Sequence, residues 1–485
     1  MEIMASKNRV IIWFTLGILA LTFTLVYSNF IQDDAYITYR YARNISTGVG
    51  FVYNPGEPIL GTTTPLYTAL LAFFSFLTRL SVVQISKTIN FLSLWIGAGF
   101  LYEIGRKEGM AIAAVTSLLY ISHPLLRYSV GMESHFLVCL LIITVFTYSK
   151  RNWSLTAILL GLLIVTRYET VLFALSLLVH SYFWLRRRPF WIAPAIAIVG
   201  CWLLYSFIAF ETLVPLSVSA KLVAIRIPFL LGGAVYWTTF VRETAYYNLF
   251  LFFFLIGVVF LLIRKSIDEG FFLVLCWSAI YLLAASFFAG SFPWYYVPLI
   301  PGFAIIVAYG IRNIAQIPIF QGEHRSSQDD IRSRVILGVI AGSLLCIHSF
   351  FLINDWKIYR GSAFDHRLAP YQQVSAWLNE HAVKEQSLAT REIGYLGYFT
   401  DMKIIDLFGL VTPGVFQWVN EGPEATLFHT LEIYTPDYVL IDPSVIQEDI
   451  LAGDSCYQLV QEFEQGYRLY QRDPAGQTPG CQIVE

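Results

Sequence analysis

Apolar residues fall along this chain in long, nearly unbroken runs separated by short polar breaks. An α-helix needs about 20 apolar residues to cross a bilayer. Windows of that kind place spans at residues 10–30, 84–104, 110–126, 132–149, 154–166, 169–185, 190–210, 246–263, 270–289, 294–311 and 334–353, about eleven in all. The fifth and sixth are short and separated only by "TRYE". After residue 353 the pattern changes: charged and polar residues rise and the long apolar runs stop. There "YQQVSAWLNEHA" predicts a helix, "KIIDLF" and "DYVLID" predict short strands, and "LVQEFEQGYRLYQRD" predicts a two-strand hairpin. The expected architecture is therefore mainly α. A polytopic transmembrane helical domain, residues 1–353, precedes a small α/β domain, residues 354–485.

The polar breaks are not equivalent. "GRKEG", "SKRNW", "RRRP", "RKSIDEG" and "RNIAQIPIFQGEHRSSQDDIRSR" each carry at least two Lys or Arg. Threading the spans from a cytoplasmic N-terminus puts all five inside, in keeping with the positive-inside bias. Residues 31–64, 211–245 and everything after 353 then lie outside. No small-residue cleavage site follows the first apolar run, so it reads as a retained span of the cell (inner) membrane. Composition agrees: 56% of the residues are hydrophobic and 14% are charged, too few charges to cover a soluble chain of 485 residues. A net charge of −2 without a basic stripe argues against a nucleic-acid partner. Cys139, Cys201, Cys276 and Cys346 lie in apolar runs as small hydrophobes. Cys456 and Cys481 lie outside them, as a disulfide in an oxidising compartment or as two free thiols.

Candidate chemistry gathers on the outer side of this threading. The first outer loop opens with "IQDDAYITYRYARN". Asp33 can serve as N-cap of a helix on which Asp33, Tyr36, Ile37, Arg40 and Asn44 share one face. Paired acids also suit a helix start for electrostatic reasons alone. Glu133 sits where a helix re-enters the membrane, and ionisable residues at such depth are candidates for function. Arg167 and Glu169 occupy the next outer turn, as site residues or as a structural pair. Lys221 is the strong cation of the large outer loop, as a ligand for phosphate or as a snorkelling side chain. Trp294 and Tyr295 sit in the last outer turn, as sugar-stacking rings or as an interfacial belt. Tyr36 and Arg40 join them as candidates for substrate binding. Carboxylates bind or deprotonate sugar hydroxyls, aromatic rings cover apolar sugar faces, and cations hold phosphate. His123 and His135 read as structural. No spacing resembles a dedicated metal site, a P-loop or a dinucleotide fingerprint.

These motifs resemble the GT-C superfamily of polyprenyl-phosphate-sugar glycosyltransferases, and most closely the branch containing the mycobacterial terminal arabinofuranosyltransferase. In that branch an acidic pair opens the first external loop and a "G..NPGE..EG.T..L" run follows. "GFVYNPGEPILGTTTPLY" is similar to this run, with Leu60 at the position of the acid. "SVGMESHF" resembles a "GLE/GME" motif. "TRYET" resembles "RPE", with Tyr168 for the proline. "LVPLSVSAK" resembles "lPnT.yAK", with Leu216 and Ser217 for Asn-Thr. "PWYYVPLIP" and "EIGYLGYFTDMKIIDLFGL" also fit. The resemblance implies the GT-C fold and transfer of a sugar, such as arabinofuranose, from a polyprenyl phosphate on the outer leaflet. The acceptor is a glycan, lipid or protein hydroxyl, and the anomeric centre inverts. The resemblance implies that the acidic pair, Asp33 or Asp34, supplies the catalytic base; Lys221 and Arg40 are the candidates for stabilising phosphate charge. A divalent cation bridging acid and phosphate is neither required nor excluded. A transporter or lipid-linked-sugar flippase is the competing class. It would place ionisable residues near the midplane of broken helices in paired halves, whereas here they gather on one face. A purely structural membrane protein whose small domain does the work is the third.

Overall fold

A computed structural model describes residues 2–224, 248–264, 266–286, 292–315 and 367–473, the last without 448, 453 and 455, together with residue 238 and scattered positions between 335 and 357. The helices are α1 (Glu2–Val26), α2 (Asp33–Ser46), α3 (Pro65–Thr78), α4 (Val82–Gly105), α5 (Met110–Ile121), α6 (Ser134–Ser149), α7 (Trp153–Thr166), α8 (Val171–Phe183), α9 (Ala193–Phe210), α10 (Leu216–Ala224), α11 (Asn248–Ile263), α12 (Glu269–Ala285), α13 (Ile300–Ala315), α14 (Leu368–His381), α15 (Gly394–Phe399) and α16 (Pro423–Tyr434). Each of the first ten expected spans overlaps an apolar helix. The eleventh, 334–353, falls largely outside the described residues. By length and composition Arg9–Val26, Pro189–Phe210 and Pro293–Ile314 are long enough to cross a membrane, and several others are shorter apolar helices. The apolar helix α3 was not expected. It ends at Arg79, whose left-handed backbone (φ 63°) breaks it from α4.

Local chemistry sets the helix ends. Asn152 accepts from Leu155 N to cap α7, and Asp268 accepts from Gly270 N to cap α12. Pro65 and Pro423 open α3 and α16, where a missing N–H costs nothing.

The chain forms two compact units. The first comprises Met1–Ile31, Ser86–Gly200 and Ile227–Ser362. Its polar turns sort into two groups. Glu108 meets Arg264 (2.7 Å) and Arg312 (3.8 Å), Lys107 meets Asp268 (3.2 Å), and Arg151 meets Glu269 (3.0 Å). All of these belong to turns expected on the cytoplasmic side. Glu133, Arg167 and Tyr295, from turns expected outside, meet one another instead. Between these turns the helices pack closely: a Cβ on Gly310 of α13 would lie 1.9 Å from the Phe253 carbonyl oxygen of α11.

The second unit comprises Gln32–Ile85, Cys201–Arg226 and Ala363–Glu485. Its sheet contains β1 (Ser387–Thr390), β2 (Lys403–Asp406), β3 (Tyr438–Ile441), β4 (Tyr457–Glu462) and β5 (Arg468–Arg472) in the order β2-β1-β3-β5-β4. β1 pairs in parallel with β2 and β3, while β5 runs antiparallel to β3 and β4. The expected helix 371–382, the two strands and the hairpin correspond to α14, β2, β3 and β4–β5. Ala389, Ile405, Leu427, Val439 and Tyr470 form the core beneath the sheet. Cys456 is disulfide-bonded, and Cys481 lies outside the described residues.

Candidate active site

The acidic pair opens α2, but not as expected. Gln32 occupies the cap position with extended backbone, and Asp33 is the first helical residue. Asp33 does not cap its own helix. Its Oδ2 accepts from Gly394 N (2.8 Å) and its Oδ1 from Tyr395 N (2.6 Å), so it caps α15 instead. Asp33 is 7% exposed. Burial pushes its carboxyl up to about 6, and the Asp34 charge adds to that rise. The two N–H bonds and the Arg367 charge oppose it. Asp34 is half-buried, and its carboxylate has no hydrogen-bond or ion-pair partner among the described residues. Two adjacent carboxylates thus differ: each oxygen of Asp33 accepts a backbone N–H, and Asp34 has no such partner among the described residues.

Of the rest of the shared face of α2, Tyr36, Arg40 and Asn44 are buried while Ile37 is half-buried, and Arg40 and Asn44 bind protein atoms. Arg40 is 1% exposed. It donates to the carbonyls of Tyr53 (2.7 Å), Gly397 (2.7 Å) and Met402 (2.8 Å) and to Asn54 Oδ1 (3.1 Å), with its guanidinium over the Tyr53 ring. These bonds engage Nε, Nη1 and both Nη2 hydrogens within the protein and leave the second Nη1 hydrogen outside them. Tyr36 packs edge-on against Tyr39 and Tyr395 at 5.2 and 5.3 Å, as part of an aromatic core. The "NPGE" run has a structural task. Asn54 Nδ2 donates to the Ile404 carbonyl (2.9 Å) and its Oδ1 accepts from Ile404 N (3.0 Å), while Glu57 pairs with Lys403 (2.6 Å). This pins the loop alongside β2. Lys221 is half-buried on α10, whose first residue donates from Leu216 N to the Leu60 carbonyl (2.7 Å). Asp33, Asp34, Tyr36, Arg40 and Lys221 therefore belong to one compact unit.

The other candidates gather in the first unit. Arg167 Nη1 donates to Glu133 Oε1 and Arg167 Nε to Glu169 Oε1, each at 2.7 Å, and the guanidinium lies 5.9 Å from the Tyr295 ring centroid. Three turns thus contribute to one cluster with a charge excess of one carboxylate. Trp294 stacks on Phe292 at 4.7 Å and 8°. Asn90, a residue the sequence reading missed, holds the turn before Glu133: its side chain accepts from Gly131 N (2.5 Å) and donates to the Met132 carbonyl (3.1 Å). Its signal was a lone amide inside the apolar run "KTINFLSLW". Also missed were Arg127 and Asp355, paired at 3.1 Å, with Tyr27 donating to the same carboxylate at 2.6 Å. His123 accepts from Leu125 N, and His135 binds Ser129 and the Leu126 carbonyl, both as structural residues. Among the described residues no group of three or more His, Cys, Asp or Glu could hold a metal ion.

A family profile described as a domain of unknown function, DUF8728, matches residues 359–479. No curated protein sequence matches the chain. Solved structures do. ArnT from Cupriavidus metallidurans bound to undecaprenyl phosphate is similar at TM-score 0.66 and 11% identity, over 97% of this chain and 99% of that one. Its apo state gives TM-score 0.63 at 11% identity, over 96% and 98%. The arabinofuranosyltransferase AftD from Mycobacteria gives TM-score 0.50 at 12% identity, over 96% of this chain but only 40% of its own length. At these identities the likeness establishes the fold. The chain shares the fold of these structures, a region of many apolar helices with a small α/β domain.

Proposed function

We propose that this chain is a membrane glycosyltransferase. It moves a sugar from a polyprenyl-phosphate donor to an acceptor hydroxyl at the extracytoplasmic face of the cell membrane. Residues 1–353 form the catalytic membrane portion with a cytoplasmic N-terminus, and residues 354–485 form an extracytoplasmic domain. The observation that carries this reading is the half-buried Asp34 carboxylate, without a partner among the described residues, beside an Asp33 held by two backbone N–H groups. The fold shared with a protein bound to undecaprenyl phosphate supports the donor class.

A donor with a long lipid tail is used at the membrane boundary, and a phosphate is already a competent leaving group. The demanding step is activating the acceptor. Asp34 takes the proton of the acceptor hydroxyl as its oxygen bonds to the anomeric carbon. The bond from that carbon to the phosphate oxygen breaks, and the electron pair leaves with the polyprenyl phosphate. One displacement inverts the anomeric centre. Lys221 stabilises the phosphate as its charge grows. Glu133 and Glu169 retain acceptor capacity for sugar hydroxyls beyond the bonds from Arg167, and Tyr295 and Trp294 offer rings to a sugar face.

The test is a panel of labelled polyprenyl-phosphate sugars, arabinofuranose first, incubated with the purified protein in nanodiscs and candidate acceptors. Release of polyprenyl phosphate coupled to glycosylated product supports the assignment. Outward movement of intact donor without any cleavage overturns it in favour of a flippase.

A further inference from the structure

Open α/β sheets receive their ligands at the carboxyl ends of parallel strands, where the strand order reverses. Anions there are held by backbone N–H groups at the start of the following helix. The order β2-β1-β3 creates such a place after β1. In this chain it is filled from within. The N–H groups of Gly394 and Tyr395, which open α15 after a three-residue turn from β1, both point at the Asp33 carboxylate. The contact is built for this occupant: a Cβ on Gly394 would lie 1.8 Å from the Asp33 carbonyl oxygen and 2.6 Å from its Oδ2.

The neighbouring bonds follow the same plan. Arg40 reaches the carbonyls of Gly397 and Met402, before and after the end of α15. Arg43 donates to the Tyr398 carbonyl (2.6 Å), and Tyr53 Oη donates to the Ile393 carbonyl (2.6 Å). Asn54 pairs with Ile404 in β2 in both directions. Asp33, Arg40, Arg43, Tyr53 and Asn54 thus all reach backbone atoms of the β1-α15-β2 segment.

We propose that the C-terminal domain is an intramolecular holder for the acidic helix. Its bound anion is Asp33, and Asp33 is a positioning residue that fixes the backbone from which Asp34 projects. Its task in transfer is to present the base, and its β1 ligand position takes no free anion. The part concerning Asp34 rests on the glycosyltransferase reading; the holder itself does not.

The experiment compares the full-length protein in nanodiscs with Asp33→Ala and Asp33→Asn. The second keeps the shape and one acceptor oxygen, and so covers the case in which the first fails to fold. Hydrogen exchange reads the amides of Gly394 and Tyr395 and of residues 33–46, and transfer kinetics read kcat and KM for the donor. Losing a charge-assisted bond is expected to speed exchange at the two amides about 10- to 100-fold. In both variants kcat is expected to fall by at least about tenfold with KM nearly unchanged. Asp34→Asn is expected to lower kcat with exchange unaltered. Unchanged exchange at Gly394 and Tyr395 in both Asp33 variants overturns the holder. Faster exchange with kcat intact overturns the positioning of Asp34. If no variant and no wild type turns over any donor, the glycosyltransferase reading fails while exchange still decides the holder.

Discussion

Replacing Gly394 with alanine perturbs the joint between α2 and α15 by a single methyl group. The new Cβ would sit 1.8 Å from the Asp33 carbonyl oxygen and 2.5 Å from its carbonyl carbon. Ordinary contact needs roughly 3.5 Å, so one backbone must retreat by about 1.5 Å. Both partners are backbone and cannot swing aside. Overpacking of this kind costs about 1–3 kcal/mol. The retreat also stretches two bonds from backbone N–H to a carboxylate, each worth about 1.5–3 kcal/mol. A shift of about 1 Å at a positioned catalytic group costs on the order of a hundredfold in rate. Thermal unfolding in nanodiscs and the single-turnover transfer rate are the assays. Gly200→Ala is the control, since nothing lies within 4 Å of a Cβ there. Gly394→Ala with wild-type melting and wild-type rate would refute the steric reasoning.

Three further outcomes follow from the same bonds. Asp33 titrates near 6 in the folded chain against 3.8 ordinarily, so the folded state keeps a proton the unfolded chain has lost. Stability from this site is therefore greatest below pH ~4 and declines as pH rises from there through about 6. The stability gap between wild type and Asp33→Asn should shrink from pH 4 to 7, and a pH-independent gap would contradict it. Asn54→Ala leaves the N–H and carbonyl of Ile404 unpaired, at about 1–3 kcal/mol each; faster exchange at Ile404 checks this. Arg167→Leu strands the Glu133 carboxylate, whose side chain is 6% exposed. The expected loss is about 3–5 kcal/mol, part of which a second change, Glu133→Gln, should restore in a double-mutant cycle.

Much of this was legible in the chain itself, for identifiable reasons. The polar face of α2 followed from a helical period, and the hairpin β4–β5 from its flanking aromatic and charged pattern. The positive-inside bias grouped the turns that later meet through ion pairs. Local pattern could not reveal partners distant in sequence. The donors to Asp33 lie 361 and 362 residues away, so a helix cap in cis was the natural inference from the pair alone. The four acceptors of Arg40 are three backbone carbonyls and a side-chain amide, and sequence does not disclose where carbonyls end up. Helix α3, with 14 residues, fell short of the length that marks a span. Strand β1, "SLAT", is too short and too weak in β-formers to stand out.

The central claim concerns one carboxylate and is met most directly by the rate of transfer from a labelled polyprenyl-phosphate sugar in Asp34→Asn. The substitution preserves shape and removes the proton acceptor. A fall of about a hundredfold to ten-thousandfold is expected, with donor affinity and melting temperature retained. Transfer at the wild-type rate in Asp34→Asn would contradict it.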